Sequence, residues 1–199
     1  MKNEQLYREV FIDNTIRLVA EGGFEKATTR AIAHDRANVG AIKLNEAHIY
    51  RVFGTKENLF AEVFGLLDGE LLFVIRDNLS VFDTEQDFKA QCRALFDKVW
   101  RFLLGQEQKC RYFTRYYYSA YFNNEIQGKH NRQYQILIEK IAGAFKPNAD
   151  VRSLLHYCIT TMLDFAIMVY NNAIEDSEEN AYHIFHVIYS SVVPYLRNN

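Results

Sequence analysis

The stretch FEKATTRAIAHDRANVGAIKLNEAHIYRVFGTKENL, residues 24–59, constrains the fold more than any other part of this 199-residue chain. It reads as two short helices, each opened by a polar cap, packed against a preceding amphipathic helix. Thr28 suits the first cap, because its hydroxyl accepts a backbone N–H that the first helical turn leaves unpaired. Ile32 and Ala33 then face inward. Asn45 suits the second cap, and Ile49, Val52 and Phe53 recur at helical spacing as its buried side. Glu46, Ala47, His48, Tyr50 and Arg51 are left on the opposite side. A short, exposed helix of mixed polarity, pinned by a trihelical core, is the physical specification of a helix-turn-helix reader of DNA.

These residues resemble the DNA-binding region of the TetR family of bacterial transcriptional regulators. The family pattern has an amphipathic helix ending in a Gly-aromatic pair, here Gly23-Phe24, followed by a Thr/Ser cap and an Ile-Ala pair, here Thr28 and Ile32-Ala33. Its most specific portion is matched by Leu44, Asn45, Ile49, Tyr50, Phe53, Gly54, Thr55, Lys56, Glu57 and Leu59. The resemblance covers the first third of the chain; beyond it only the helical character agrees. It implies a palindromic operator in double-stranded DNA, a homodimer, a small-molecule effector held in the helical body, and repression as the mode of action. Tyr50 and Lys56 match family positions that contact phosphates. Two departures stand out. Asn38–Leu44 separates the end of the first short helix, expected near Ala37, from Asn45, about six residues more than the usual three- or four-residue turn. An elongated, partly exposed turn is expected, with Ile42 and Leu44 re-anchoring it. Val52 replaces the aromatic or His usual in the family.

Charge is distributed in keeping with a protein that touches DNA through one end. The net charge is −2, yet residues 1–56 hold nine Lys/Arg against seven Asp/Glu, and residues 57–199 hold fourteen against eighteen. The excess is small, and the motif carries more weight. Two prolines and nine glycines favour helix throughout. No 18-residue apolar span is expected and the N-terminus lacks an apolar signal core, so neither a transmembrane helix nor secretion is expected and the expected location is cytoplasmic. Cys92, Cys110 and Cys158 lie far apart without C-x-x-C spacing, which reads as buried, reduced thiols.

The expected fold class is therefore all-α: a three-helix head over residues 1–55 and a helical effector-binding and dimerisation body over 56–199. The first helix should run from Glu4 to Glu21, burying Leu6, Val10, Ile12, Ile16, Val19 and Ala20. Thr55 should cap a long helix from Lys56 that links head to body. Asp83-Thr84 offers caps for a helix through Leu104, and the aromatic segment Cys110–Phe122 follows. A helix then runs towards Lys146, where Pro147 stops it. Two last helices, 149–174 and 178–196, carry apolar residues on more than one face. Pairing them with a two-fold copy would give a four-helix interface.

No catalytic constellation, metal-ligand set or cofactor motif is present: there is no G-x-S-x-G turn, P-loop or G-x-G-x-x-G, and His183 and His186 have no third ligand nearby. An enzyme is not expected. In the head, Arg51 suits guanine O6 and N7, His48 a purine acceptor and Ala47 a thymine methyl, while Glu46 suits cytosine N4 or simply the positive helix N-terminus. Thr28, Arg30, Tyr50 and Lys56 suit phosphate oxygens, and Asn45, the cap of the reading helix, completes the expected DNA-binding set. For the effector, Arg115, Tyr117, Tyr118, Tyr121 and Asp164 are the candidates, the tyrosines because each joins apolar area to a hydrogen-bonding tip. The alternative function is a dimer of this fold that has lost specific DNA binding and serves as a ligand- or protein-interaction module.

Overall fold

The computed structural model describes residues 2–35, 38–39, 42–79 and 87–197. In chain order these form α1 (Lys2–Gly22), α2 (Thr29–His34), β1 (Asn38–Val39), β2 (Ile42–Lys43), α3 (Glu46–Phe53), α4 (Lys56–Asp77), α5 (Phe88–Leu104), α6 (Glu107–Tyr117), α7 (Asn124–Ile141), α8 (Val151–Tyr170) and α9 (Glu178–Val192), with short 3-10 turns at Ala142–Ala144 and Val193–Tyr195. The all-helical class holds, with one addition. The elongated turn contains a small antiparallel hairpin, Asn38 opposite Lys43 and Val39 opposite Ile42. Two-residue strands lie below the length at which alternation becomes visible in a sequence, so only the extra length signalled them.

Contacts divide the chain into two compact units, residues 1–68 with 111–127, and residues 69–110 with 128–199. In the first unit α1, α2 and α3 pack on one another. Phe11, Val19, Ile32, Ala33 and Ile49 are fully buried there. The buried stripe of α1 differs from the expected one: Tyr7, Phe11, Ile16, Val19 and Ala20 face inward while Leu6 is exposed. The stripe is aromatic at its N-terminal end. Asn14, also buried, donates from Nδ2 to the Ile32 carbonyl at 2.9 Å and to that of Asp35, supplying partners for carbonyls at the end of α2.

The aromatic segment of α6 and its following turn belongs to this same unit. Phe24 stands with its ring 4.8 Å from that of Tyr121 and 6.1 Å from those of Tyr112 and Tyr116. Tyr112 donates its hydroxyl to the Phe60 carbonyl at 2.9 Å, and Tyr116 to that of Tyr121 at 3.1 Å. Burial pushes the Tyr116 phenol up to about 12 and that of Tyr112 well upward. These rings are core. They seat Phe24, the aromatic member of the Gly-aromatic pair, whose Gly23 takes φ of +80°.

In the second unit α5, α8 and α9 pack together around Phe96, Trp100 and Phe185, with the Phe96 and Phe185 rings 5.6 Å apart. Asp87, Asp150 and Ser177 cap the three helices through their side chains. The expected caps Asp83 and Thr84 lie outside the described residues, and α5 begins at Phe88, behind Asp87. The helix before Pro147 ends at Ile141, ahead of the proline, because Phe145 leaves the helix to bridge Leu196. That bridge, with Lys146 N–H donating to the Tyr195 carbonyl at 2.8 Å, also explains why α9 stops at Val192. Helix α8 runs 151–170, shorter than expected, since Asp150 caps it and Asn171 and Asn172 turn the chain out of it. By length and composition α8 passes the test for a membrane-crossing helix, which corrects the expectation of no such span. Here its Ile159, Met162, Leu163 and Ala166 are buried and it packs on α5 and α9.

Candidate nucleic-acid interface and body cavity

Helix α3 is held at both ends. Asn45 accepts the His48 N–H at its side chain, 3.3 Å away, and the His48 ring Nδ1 accepts the Asn45 N–H at 3.2 Å, a reciprocal cap. At the other end Gly54 takes φ of +78° and its N–H reaches the Tyr50 carbonyl. Thr28 caps α2 through the Ala31 N–H at 3.1 Å, and Thr55 caps α4 through that of Asn58 at 3.0 Å, as the sequence suggests. Ile49 and Phe53 are buried, which fixes the rotation of α3.

That rotation sorts the expected readers. Ala47, Tyr50 and Arg51 stand exposed at i, i+3 and i+4, so they share one outward face. His48 is drawn back: besides its bond to Asn45, its ring lies 5.0 Å from that of Tyr7 on α1. Glu46 is also engaged, accepting the Thr29 hydroxyl at 2.7 Å and tying α3 to α2. Arg51 keeps an exposed guanidinium whose Cζ stands 5.7 Å from the Tyr7 ring centroid. Tyr7 therefore supports two residues that sequence reasoning placed alone in the groove. Its signal was available, since Tyr7 and Phe11 lie one turn apart on α1. Arg30 and Asn45 are exposed, and Lys56 lies with Nζ 5.4 Å from the Phe60 ring.

The second unit contains a cavity of about 750 Å³. Leu95, Val99, Ile159, Met162 and Phe185 are among its walls, with Cys92 and Cys158 between them and Arg76 and Lys140 as its charged members. The expected effector residues stand elsewhere. Arg115, Tyr117, Tyr118 and Tyr121 belong to the first unit, and Asp164 is exposed on α8; none lines this cavity. The aromatic segment reads as a pocket lining in sequence because tyrosine suits both roles; in the fold Tyr121 packs on Phe24 and Phe60, Tyr117 on Phe113 and Phe122, and Tyr118 is exposed. Sequence reasoning took wall residues such as Leu95, Val99, Ile159 and Met162 as apolar helix faces and did not foresee a cavity among them. Among the described residues no group of three or more His, Cys, Asp or Glu is placed to hold a metal ion.

A sequence profile described as "Bacterial regulatory proteins, tetR family" matches residues 11–63. A TetR family transcription regulator from Marinobacter aquaeolei VT8 superimposes with a TM-score of 0.76 at 20% identity, covering 95% of this chain and 96% of its own. A putative TetR family regulator from Shewanella sp. PV-4 gives 0.74 at 14%, covering 93% and 97%. FadR from Bacillus subtilis, in complex with stearoyl-CoA, gives 0.65 at 18%, covering 90% and 96%. No curated protein matches the sequence. Residues 11–63 thus carry the TetR-family helix-turn-helix pattern, and the chain has the TetR-like fold.

Proposed function

We propose that this chain, TetR-like in the sequence of its head and in its fold, is a homodimeric transcriptional repressor of the cytoplasm that a small molecule releases from a palindromic operator. The observation that carries the reading is the outward face of α3, Ala47, Tyr50 and Arg51, on a helix capped at both ends and matched by the family profile. Arg51 is the base reader, donating to guanine O6 and N7; Ala47 meets a thymine methyl. Tyr50, Thr28, Arg30 and Lys56 hold phosphates and set register. His48 and Asn45 keep the start of α3 in shape, and Glu46 braces it against Thr29. Two such heads, one helical turn of DNA apart at roughly 34–36 Å, engage successive major grooves.

Residues 1–55 serve as the DNA-binding domain and 56–199 as the effector and dimerisation domain. Met168 on α8 and Tyr182 and Val187 on α9 leave large apolar side chains in solvent on a single chain, which suits pairing with a second copy. The cavity of the second unit is the effector site. Occupancy favours one conformation of the dimer, and release is bounded by the ligand's preference for that state. No catalysis is assigned.

A mobility-shift assay with DNA upstream of the protein's own gene tests the reading. Arg51→Ala should weaken operator binding by about 1–3 kcal/mol and relax sequence preference, whereas Lys56→Ala should weaken binding to all duplexes alike. Equal losses on operator and random DNA from both changes would sink the assignment. The second reading, a module without specific DNA binding, gains from the hairpin set between α2 and α3 and from the internal engagement of Glu46 and His48. Deleting Val39–Ile42 separates the two: tighter operator binding would mean that the hairpin obstructs docking.

A further inference from the structure

The cavity of the second unit is apolar within and cationic at its edge. Its walls are mostly leucine, isoleucine, valine, methionine and phenylalanine from several helices, with Gln91 and Tyr189 as uncharged polar members. The thiols among them are neutral, since burial pushes Cys92 and Cys158 up to about 12. Among the described lining residues charge enters through Arg76, in the last turn of α4, and Lys140, in the last turn of α7, and both are exposed. No Asp or Glu is among the described lining residues. A cationic occupant would meet two like charges and no counterion. A sugar-like or other densely polar one would bury more hydroxyls than Gln91 and Tyr189 could serve among these apolar walls, which is costly. A plain hydrocarbon would draw nothing from either cation. The volume, about 750 Å³, falls in the range that encloses most of a small ligand.

We propose that this cavity binds an amphipathic anion: a long aliphatic chain lying among Leu95, Ile159 and Met162, with its anionic head at Arg76 and Lys140. The inference rests on the reading of the second unit as the effector-binding part. A free fatty acid and the acyl thioester of a phosphorylated carrier share this chemistry. Cationic side chains at a helix C-terminus also have a local use, countering the helix dipole. A head-group contact differs from that use in depending on the ligand's charge.

Titration calorimetry on the full-length protein without DNA tests the assignment, using saturated fatty acids from octanoate to stearate, their coenzyme A thioesters and the matching primary alcohols. Each added methylene should tighten binding about fourfold until the cavity is filled. The carboxylate should bind about ten- to a hundredfold tighter than the alcohol of equal length. Arg76→Gln with Lys140→Gln, both surface changes, should erase that difference and leave the alcohol series unmoved. Cys158→Trp should block acid and alcohol together. Binding of the thioesters alone, or of the acids alone, identifies the source and supports the proposal either way. Acid and alcohol binding equally in the unchanged protein, a head-group preference that survives the double substitution, or no binding by any member would overturn it. A protein that shifts operator DNA yet ignores all three series loses this inference alone. One that binds the series but no operator loses the proposed repressor and keeps the ligand.

Discussion

The two units surround their core side chains differently. In the first, Phe11, Ile32, Ile49, Leu59 and Phe60 are fully buried, and a buried Asn14 has its amide bonded to carbonyls of α2 and its C-terminal turn. The second surrounds a void of about 750 Å³ with large side chains. A close-packed interior admits one arrangement and transmits strain, as suits a unit that must hold α3 at a fixed angle. A hollow one leaves part of its packing to whatever enters. Occupant at a hundredfold its Kd would add about 2.7 kcal/mol to stability. On the proposed function, rigidity and responsiveness fall to different residues.

Matched leucines test that contrast most severely. Leu59→Ala, in the packed unit, should cost about 3–5 kcal/mol, because the surrounding residues cannot collapse onto the deleted atoms. Leu95→Ala, in the cavity wall, should cost about 1–2 kcal/mol, since part of its surface already faces open space. Urea denaturation of each variant gives both values. Equal costs would mean that the cavity is filled by side-chain motion in solution and that the contrast is false.

The reverse substitution should produce a smaller difference of the same sense. Ala33→Leu adds volume at a fully buried site on α2 and should cost about 2 kcal/mol through displaced neighbours. Cys158→Leu adds volume towards the cavity and should stay within about 0.5 kcal/mol of the parent protein, or gain. A loss at Cys158 as large as at Ala33 would show that the void has no slack on the α8 side.

Helix caps should not distinguish the units in stability but should in function. Asn45→Ala and Ser177→Ala each remove one side-chain bond to an N-terminal N–H, at about 1 kcal/mol apiece. Only Asn45→Ala should also weaken operator binding, because only that cap shapes the helix proposed to read DNA. A comparable loss of DNA binding from Ser177→Ala would mean that α9 matters to the head beyond its own fold.

Such caps were also the most legible features of the sequence. Thr28, Asn45, Thr55 and Ser177 do what their residue types suggest, because a cap is settled within a few residues. Ile49 and Phe53 face inward for the same reason: helical period fixes their direction once the helix exists. Features decided at long range were not legible. Phe24 and Tyr112 lie far apart in the chain, and nothing local says that the rings of α6 serve Phe24 rather than a ligand. Nor could the engagement of Glu46 by the Thr29 hydroxyl or of the His48 ring by Tyr7 be read locally, since both partners come from other helices, although the His48 bond to Asn45 is as local as any cap. A cavity is harder still, being the place where side chains stop, and Arg76 and Lys140 look in sequence like ordinary charges at helix ends.

The smallest predicted effect bears on the most exposed claim about the packed unit, that Glu46 braces α3 and reads no base. Glu46→Gln keeps an oxygen able to accept the Thr29 hydroxyl but removes a negative charge from the first turn of α3. Loss of the favourable dipole interaction should cost about 0.5 kcal/mol of stability. A double-mutant cycle with Thr29→Val should return a coupling of about 0.5–1 kcal/mol, because the bonded pair is only partly buried. On DNA the same change removes repulsion from phosphates, so every duplex should be bound slightly more tightly, with sequence preference unmoved. Were affinity instead to fall at a single C·G pair and nowhere else, the carboxylate must leave Thr29 to accept from cytosine N4. The head would then adjust on binding, and adjustment would no longer belong to the hollow unit alone.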